Sequence, residues 1–159
     1  MQESLTMKKL FALAAFGASL AIAPVVAHAD DDAIVLHRQS VMEGIGAGMG
    51  TVVCVLKKQC DLPQKVVIRQ AKTMHFLAKM NLEAFRAKTE GPLGVKTTAL
   101  PKIWSDWADY EKDNKEMVEA TEGLIKAAAS SIEPQSLGPA VQALGKVCKE
   151  CHDDFREKH

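Results

Sequence analysis

Apolar residues recur at every third or fourth position in four stretches of the chain after residue 30. This spacing places them along one face of a helix. The predicted helices cover about 32–57, from 61 to just before Gly91, about 101–128, and from about 136 to 155. Because the connections are mostly short, we expect consecutive helices to run antiparallel. The pattern therefore predicts an all-α protein with an antiparallel up-down four-helix bundle.

The second helix has a well-marked predicted start and end. We expect Asp61 to be its N-cap, with Pro63 in the first turn and Gln64 at the capping-box position. Gly91 and Pro92 follow the last periodic residue and cannot continue a helix.

Four alternating glycines, Gly44, Gly46, Gly48 and Gly50, interrupt the first predicted helix. Each costs up to about 1 kcal/mol of helix propensity relative to Ala, so their presence calls for a reason. Gly46 and Gly50 fall on the face of Met42, where missing side chains would leave room for a flat, bulky group. The alternative interpretation of this segment is a loop or a short strand.

The N-terminus has the pattern of an export signal. Lys8 and Lys9 precede an apolar run over 10–26, and the small-residue motif Ala27-His28-Ala29 follows it. This order of a basic start, an apolar middle and a small-residue site is typical of a signal peptide. We therefore expect cleavage after Ala29.

Cleavage divides the chain into a signal peptide, residues 1–29, and a mature domain, residues 30–159. The alternative is that the apolar run stays as a membrane anchor, but it is short for a span. We expect no membrane span in the mature form. Export places the mature domain in an oxidising compartment, and a bacterial periplasm is the simplest such location.

Composition narrows the class of partner. The 159 residues include 20 basic and 20 acidic side chains and are 47% hydrophobic, so the domain can bury a core without any basic surplus for nucleic acid or anionic membranes. Only eight residues are aromatic. Trp104, Trp107 and Tyr110 share helical spacing, and we expect them to pack in the core.

The motif Cys148-Lys149-Glu150-Cys151-His152 carries the predicted chemistry. The pattern C-x-x-C-H is the attachment site of a c-type haem, where two thiols bond the haem and the adjacent His is an axial iron ligand. On a helix, residues at i, i+3 and i+4 share one face. Cys148, Cys151 and His152 are therefore expected to hold one covalent haem c per chain inside the bundle.

Two other interpretations of the motif remain open. A redox-active C-x-x-C would stand at the start of a helix after a strand, and no strand pattern precedes Cys148. A zinc site would combine Cys148, Cys151 and His152 with a thiol of Cys54 or Cys60, but a second paired-ligand motif is absent from the sequence.

Cys54 and Cys60 flank the predicted turn between the first two helices. An oxidising compartment permits a disulfide between them. An unbroken helix over these six residues would separate them by roughly 9 Å and forbid the bond. The pairing is therefore open at this level.

The chain resembles the cytochrome c' family, including its low-spin, methionine-ligated relatives. The resemblance rests on residues 38–42 (Arg-Gln-Ser-Val-Met), residues 101–104 (Pro-Lys-Ile-Trp) and residues 148–156, which run from the C-x-x-C-H motif to Asp-Asp-Phe-Arg. It extends over essentially the whole mature chain. The family fold is a four-helix bundle with a covalent haem, as the periodicity and the motif also predict.

The resemblance implies roles for three further residues. Met42 would face the open side of the haem iron, and Arg38 would pair with a haem propionate. Arg38 also falls within the apolar stripe, where an uncompensated guanidinium is costly, although a side chain that snorkels outward is the alternative. Arg156 would lie beside the proximal haem face, or it would complement the C-terminus of its helix.

The role of Met42 decides between two functions. If its sulfur binds the iron, the protein is a six-coordinate, low-spin, single-electron carrier, which is our first expectation. If Met42 only blocks the site, the protein is a five-coordinate cytochrome that binds small gases such as nitric oxide or carbon monoxide. Neither function is enzymatic. The expected partners are a periplasmic redox protein or a gas, and the resemblance also implies an antiparallel homodimer through the first two helices.

Overall fold

The computed structural model of this protein describes residues 26–89 and 93–158. Within them lie five helices: α1 (Val26–Leu56), α2 (Gln64–Arg86), α3 (Lys102–Ser105), α4 (Trp107–Ser130) and α5 (Pro134–Phe155). The four long helices pack in sequence order, α1 on α2, α2 on α4 and α4 on α5, and α5 returns to α1. The predicted antiparallel four-helix bundle is confirmed. The predicted signal peptide lies mostly outside the described residues.

Helix α1 begins at Val26, earlier than the sequence predicted. By length and composition alone, its Asp30–Leu56 part could span a bilayer, since an 18-residue window within it has a mean hydropathy of 1.3; no such span after residue 29 was expected from the sequence. The helix packs along α2 and buries the hydrogen-bonded side chain of Arg38. We therefore interpret α1 as a helix of the bundle.

The buried face of α1 differs slightly from the predicted one. All five of the following residues follow the apolar spacing of this helix. Val41, Ile45 and Val52 are buried, as that spacing predicts, whereas Met42 and Met49 are only half-buried. The two methionines belong to the same apolar surface but face a cavity instead of the close-packed core. Periodicity cannot separate these two environments, because both accept apolar side chains.

Two of the four α1 glycines allow α1 and α2 to pack closely. A Cβ on Gly48 would lie 2.5 Å from Met74 Cγ, and a Cβ on Gly44 would lie 2.6 Å from Leu77 Cδ1. A Cβ on Gly46 or Gly50 would meet no neighbouring atom within 4 Å. The helix runs without a break through all four, so the alternative of a loop or strand is wrong.

The turn after α1 brings two cysteines together. Helix α1 ends at Leu56, and Lys58 adopts a positive φ of 56° that reverses the chain. The Cα atoms of Cys54 and Cys60 are consequently 5.5 Å apart, and the two residues form a disulfide. Because the helix ends between them, the separation expected of a continuous helix does not arise.

The predicted capping of α2 by Asp61 is wrong. The N-cap position is Pro63, in an extended conformation, and no side chain caps this end of the helix. Gln64 instead donates across the bundle to the carbonyl oxygens of Ala128 and Ala129, at 2.9 and 3.1 Å. The Gln64 side chain therefore joins the start of α2 to the end of α4.

The third predicted helix consists of two helices. The chain breaks at Asp106, with φ −115° and ψ 43°, between α3 and α4. The last predicted helix starts at Pro134, two residues before Ser136. Of the apolar face predicted for this helix, Leu137, Val141, Leu144 and Phe155 are buried, whereas Cys148 and Cys151 are half-buried.

We expect Gly48→Ala to lower the free energy of unfolding by about 1–3 kcal/mol, because the new methyl group would overlap the inner part of the buried Met74 side chain. Gly50→Ala is the matched control. Its Cβ meets open space, so its higher helix propensity should leave stability unchanged or raise it by up to about 1 kcal/mol. Urea unfolding of the haem-loaded protein measures both variants. Equal effects would contradict the close contact at Gly48.

Removing the disulfide by Cys54→Ser with Cys60→Ser should lower the free energy of unfolding by about 2 kcal/mol. The reason is that the unfolded chain gains the conformational entropy that this short closed loop restricts. The visible spectrum of the bound haem should not change, because the disulfide lies at the end of the bundle away from Cys148. Denaturant unfolding followed by circular dichroism measures the first effect. A changed haem spectrum would contradict this separation.

Candidate haem site

All six residues proposed from the sequence surround a single cavity. It has a volume of about 600 Å³ and lies among α1, α2, α4 and α5. These six residues, which line the cavity together with others, are Arg38, Met42, Cys148, Cys151, His152 and Arg156. The structure therefore brings together residues that are more than a hundred positions apart in the sequence.

Helix α5 presents both thiols and the imidazole to this cavity. Cys148 and Cys151 are half-buried, while His152 is exposed toward the open part of the cavity. Burial raises the pKa of the Cys148 thiol. Burial, together with the nearby Asp113, raises the pKa of Cys151 to about 12. Both thiols are therefore protonated at neutral pH.

These surroundings argue against the two other interpretations of the motif. A redox-active pair stands at a helix N-terminus that lowers the thiol pKa, whereas Cys148 and Cys151 lie in the last two turns of α5 with raised pKa values. A zinc site would need a thiol from Cys54 or Cys60, but these two residues are bonded to each other.

The wall opposite His152 is set by the register of α1 against α5. A Cβ on Gly138 would lie 3.8 Å from Leu56 Cδ1, and a Cβ on Gly145 would lie 3.7 Å from Met49 Cε. The two helices are antiparallel, and each contact is seven residues from the other on both helices. Another seven residues along, the same register sets Met42 opposite His152, where both residues line the cavity.

The cavity fits the group that the motif predicts. Its volume is within the range of sites for small molecules and cofactors, about 300–1,000 Å³. The lining is largely apolar and includes Ile45, Phe85 and Met117. Gly46 also lines it and leaves the space that the sequence analysis expected, whereas Gly50 does not reach the cavity. Two thiols and an imidazole on one wall suit a flat, apolar cofactor held through thioether bonds and an iron ligand.

Arg38 is buried, with 2% of its surface exposed, so the alternative of an outward side chain is wrong. Its Nε donates to the carbonyl oxygen of Ala84 at 3.1 Å, and Nη2 donates to that of Ala87. Nη1 donates to the hydroxyl of Thr89 at 3.2 Å. Burial lowers the pKa of Arg38 from its ordinary value. Arg38 thus binds the carbonyl groups at the end of α2, and its pairing with a propionate stays a prediction.

Two aromatic rings enclose the Arg38 guanidinium. Its Cζ lies 5.2 Å from the centre of the Phe85 ring and 5.0 Å from that of Trp104. The indole Nε1 of Trp104 also donates to the carbonyl oxygen of Phe85 at 2.9 Å. The end of α2 is therefore held by side chains from α1 and α3, and two of the segments that carry the family resemblance meet there.

Arg156 lies beside the imidazole of His152, with 3.4 Å between Arg156 Nη1 and His152 Nδ1. Burial and the positive charge of Arg156 lower the pKa of His152. A lowered pKa favours the neutral imidazole, which is the form that binds a metal. Arg156 is also the C-cap residue of α5. Both roles that the sequence suggested for Arg156 are therefore compatible with its position.

Residues 97–99 cover one side of the cavity and are fixed to the end of α5. The amide of Leu100 donates to the Phe155 carbonyl oxygen at 3.0 Å, and the amide of Glu157 donates to that of Thr98 at 2.8 Å. The Gln39 side chain of α1 donates to the Lys96 carbonyl oxygen at 2.6 Å. Backbone pairing of this kind has no sequence signal, and the sequence analysis did not predict it.

A buried polar cluster in the cavity wall was also missed. Asn81 of α2 donates through Nδ2 to the Tyr110 hydroxyl at 2.9 Å and to Asn114 Oδ1 at 2.8 Å. All three residues are buried and line the cavity. Tyr110 was predicted only as core packing. The available signal was the presence of Asn81 and Asn114 at apolar positions of their helices.

Comparisons with known proteins agree with this geometry. The profile of the family described as Cytochrome C' matches residues 33–156. The cytochrome c' of Rhodospirillum rubrum is 30% identical over 151 residues, which are 94% of this chain and 99% of that protein. The crystal structure of cytochrome c' from Rubrivivax gelatinosus has a TM-score of 0.70 at 28% identity and covers 80% of this chain and 97% of its own.

A third similar protein was solved with a gas. The nitric oxide complex of a variant of cytochrome c prime from Alcaligenes xylosoxidans has a TM-score of 0.70 at 26% identity and covers 81% of this chain and 97% of its own. The C-x-x-C-H motif on α5, the cavity that it faces and these similarities lead to one conclusion. The chain belongs to the cytochrome c' family, whose members bind haem c covalently.

Proposed function

We propose that this protein is an exported, periplasmic monohaem cytochrome that binds nitric oxide or carbon monoxide in the cavity between α1 and α5. The observation that carries the proposal is that both thiols and the imidazole of the α5 motif line the same cavity as Met42 of α1. Bound haem supplies an iron that holds a gas ligand or carries one electron. The solved relative with nitric oxide favours gas binding over our first expectation of a methionine-ligated carrier.

The residues of the chain have distinct parts in this proposal. Cys148 and Cys151 attach the haem covalently, and His152 is the proximal iron ligand. Arg156 lies against this imidazole and favours its neutral form. Arg38 fixes the end of α2 through one hydrogen bond from each of its three nitrogens. Nη1 and Nη2 each carry a second N–H, and these two groups remain for a propionate.

Met42 is proposed to screen the open face of the iron. It is half-buried on a continuous stretch of α1, so the backbone fixes the position of its side chain. Ile45 and Met49 line the cavity on the same helix and add apolar surface beside Met42, although Gln39 and Glu43 also line it. An uncharged diatomic gas is a suitable occupant of such a wall, because it loses little hydration on entry.

The second candidate function is single-electron transfer to a periplasmic redox partner, with Met42 as the sixth iron ligand. The observation that favours it is the register that sets Met42 opposite His152. A thioether ligand is typical of electron-carrying cytochromes. Both candidates use the same haem attachment, and no enzymatic activity is proposed for either.

We also propose that the homodimer implied by the family resemblance forms through α1 and α2. Two large apolar side chains are exposed on the described surface of these helices, Leu36 with 51% and Phe76 with 61% of their surface exposed. An interface over α1 and α2 would cover both of these side chains.

Met42→Ala should raise the rate of carbon monoxide association with the ferrous protein about tenfold, because removing a steric barrier of about 1.4 kcal/mol has that effect. Met49→Ala is the matched control. Met49 lines the same cavity but contacts Gly145, and its removal should change the rate far less. Flash photolysis measures the rates, and absorption spectra report the spin state.

The same spectra distinguish the two candidate functions. A high-spin wild-type protein that binds carbon monoxide readily supports the gas-binding proposal. A low-spin wild-type protein that binds carbon monoxide only after Met42→Ala would overturn it in favour of electron transfer.

Expression in a bacterium that assembles c-type cytochromes should give a mature chain that starts at Asp30 and carries the mass of one haem. Signal-peptide cleavage after Ala29 accounts for the new N-terminus, and thioether bonds keep the haem attached under denaturing conditions. Intact-mass spectrometry of the periplasmic fraction measures both. Cys148→Ala with Cys151→Ala is the control that should lose the covalent haem. A full-length chain in the membrane fraction would contradict the proposed export.

A further inference from the structure

The cluster of Asn81, Tyr110 and Asn114 has one hydrogen-bonding group left over. Asn81 uses Nδ2 for both of its bonds, to the hydroxyl of Tyr110 and to Oδ1 of Asn114. Its own Oδ1 is buried and has no hydrogen-bond partner among the described residues. Asn81 is 1% exposed and lines the cavity. Buried polar groups almost always have a partner, so this oxygen indicates a hydrogen-bond donor that the described residues do not supply.

The unpaired atom lies at the level of the predicted iron ligands. Two contacts define the register of α1 against α2: Arg38 donates to the Ala84 carbonyl oxygen, and Gly48 lies against Met74. The antiparallel register between these two contacts sets Met42 within one residue of the level of Asn81. The cluster therefore faces the part of the cavity that Met42 and the C-x-x-C-H motif enclose.

The chemistry of the cluster identifies the class of occupant. Asn81 Oδ1 is an acceptor and requires a donor. Haem carboxylates, nitric oxide and carbon monoxide have no hydrogen to donate, so none of them can pair with Asn81 Oδ1. A water molecule has two hydrogens and can donate one to this oxygen. The Tyr110 hydroxyl accepts from Asn81 and retains its own hydrogen for donation, so a water molecule would have at least two partners.

We propose that Asn81, Tyr110 and Asn114 form a binding site for one ordered water molecule in the haem cavity. The water donates to Asn81 Oδ1 and accepts from the Tyr110 hydroxyl. Burial raises the pKa of Tyr110, which keeps this hydroxyl protonated. The water brings a hydrogen-bond donor to the level of the predicted iron ligands in a cavity that is otherwise largely apolar. The site depends on the cavity and not on the spin state of the iron, so it is independent of the two candidate functions.

The test counts long-lived internal waters in the haem-loaded protein by magnetic relaxation dispersion. Asn81→Leu preserves the side-chain size and should remove one such water from the wild-type number. Tyr110→Phe, a smaller change, should shorten the residence time of this water or remove it. Thr121→Val is the matched control, because Thr121 is a buried polar residue of the same helix α4 whose hydroxyl already donates to the Val118 carbonyl oxygen at 2.8 Å.

A crystal structure of the haem-loaded wild type provides the second measurement. We expect one water within about 3.2 Å of Asn81 Oδ1. An equal number of long-lived waters in wild type, Asn81→Leu and Tyr110→Phe would overturn the proposal, as would a wild-type crystal structure with no water at this oxygen. If Asn81→Leu does not fold, Tyr110→Phe and the crystal structure still decide the question.

Discussion

The contact between α1 and α5 is the constraint on which the haem site depends. The two helices meet where Leu56 lies against Gly138 and Met49 lies against Gly145, at ordinary van der Waals distance. Beyond Gly145 the facing wall of α5 is formed by Val147, Cys148 and the rest of the motif, and a cavity lies between the helices instead of a packed interface. Close packing at one end and separation at the other create the volume without any insertion in the fold. The iron ligand and the residue opposite it then follow from the helical register.

The second requirement is a rigid border for this open end. The end of α2 would carry unpaired carbonyl groups, and Arg38 and Trp104 satisfy three of them. The loop over residues 97–100 pairs with the end of α5. These contacts join α1, α2, α3 and α5 around the cavity. A bundle that is open at one end can therefore keep a fixed cavity shape.

Much of this arrangement was predictable from local patterns. The four long helices follow from periodicity, and the inward direction of Cys148 and Cys151 follows from their spacing on a helix. The break at Asp106 was not predicted, because α3 and α4 share one continuous apolar pattern. The cap expected at Asp61 was wrong, because the chain is extended at Pro63. The inward position of Arg38 was predicted, but its bonds to Ala84 and Ala87 join distant segments that no periodicity relates.

The disulfide between Cys54 and Cys60 has a consequence for how the protein matures. On the proposed export, four cysteines would enter an oxidising compartment together; two of them are bonded to each other in the structure, and Cys148 and Cys151 are free. Cys148 lies ten residues along α5 from Gly138, which meets the end of α1, so about 15 Å of helix separates the two thiol pairs. The bundle thus holds its bonded cysteine pair at one end and keeps the two free thiols apart from it, beside the cavity.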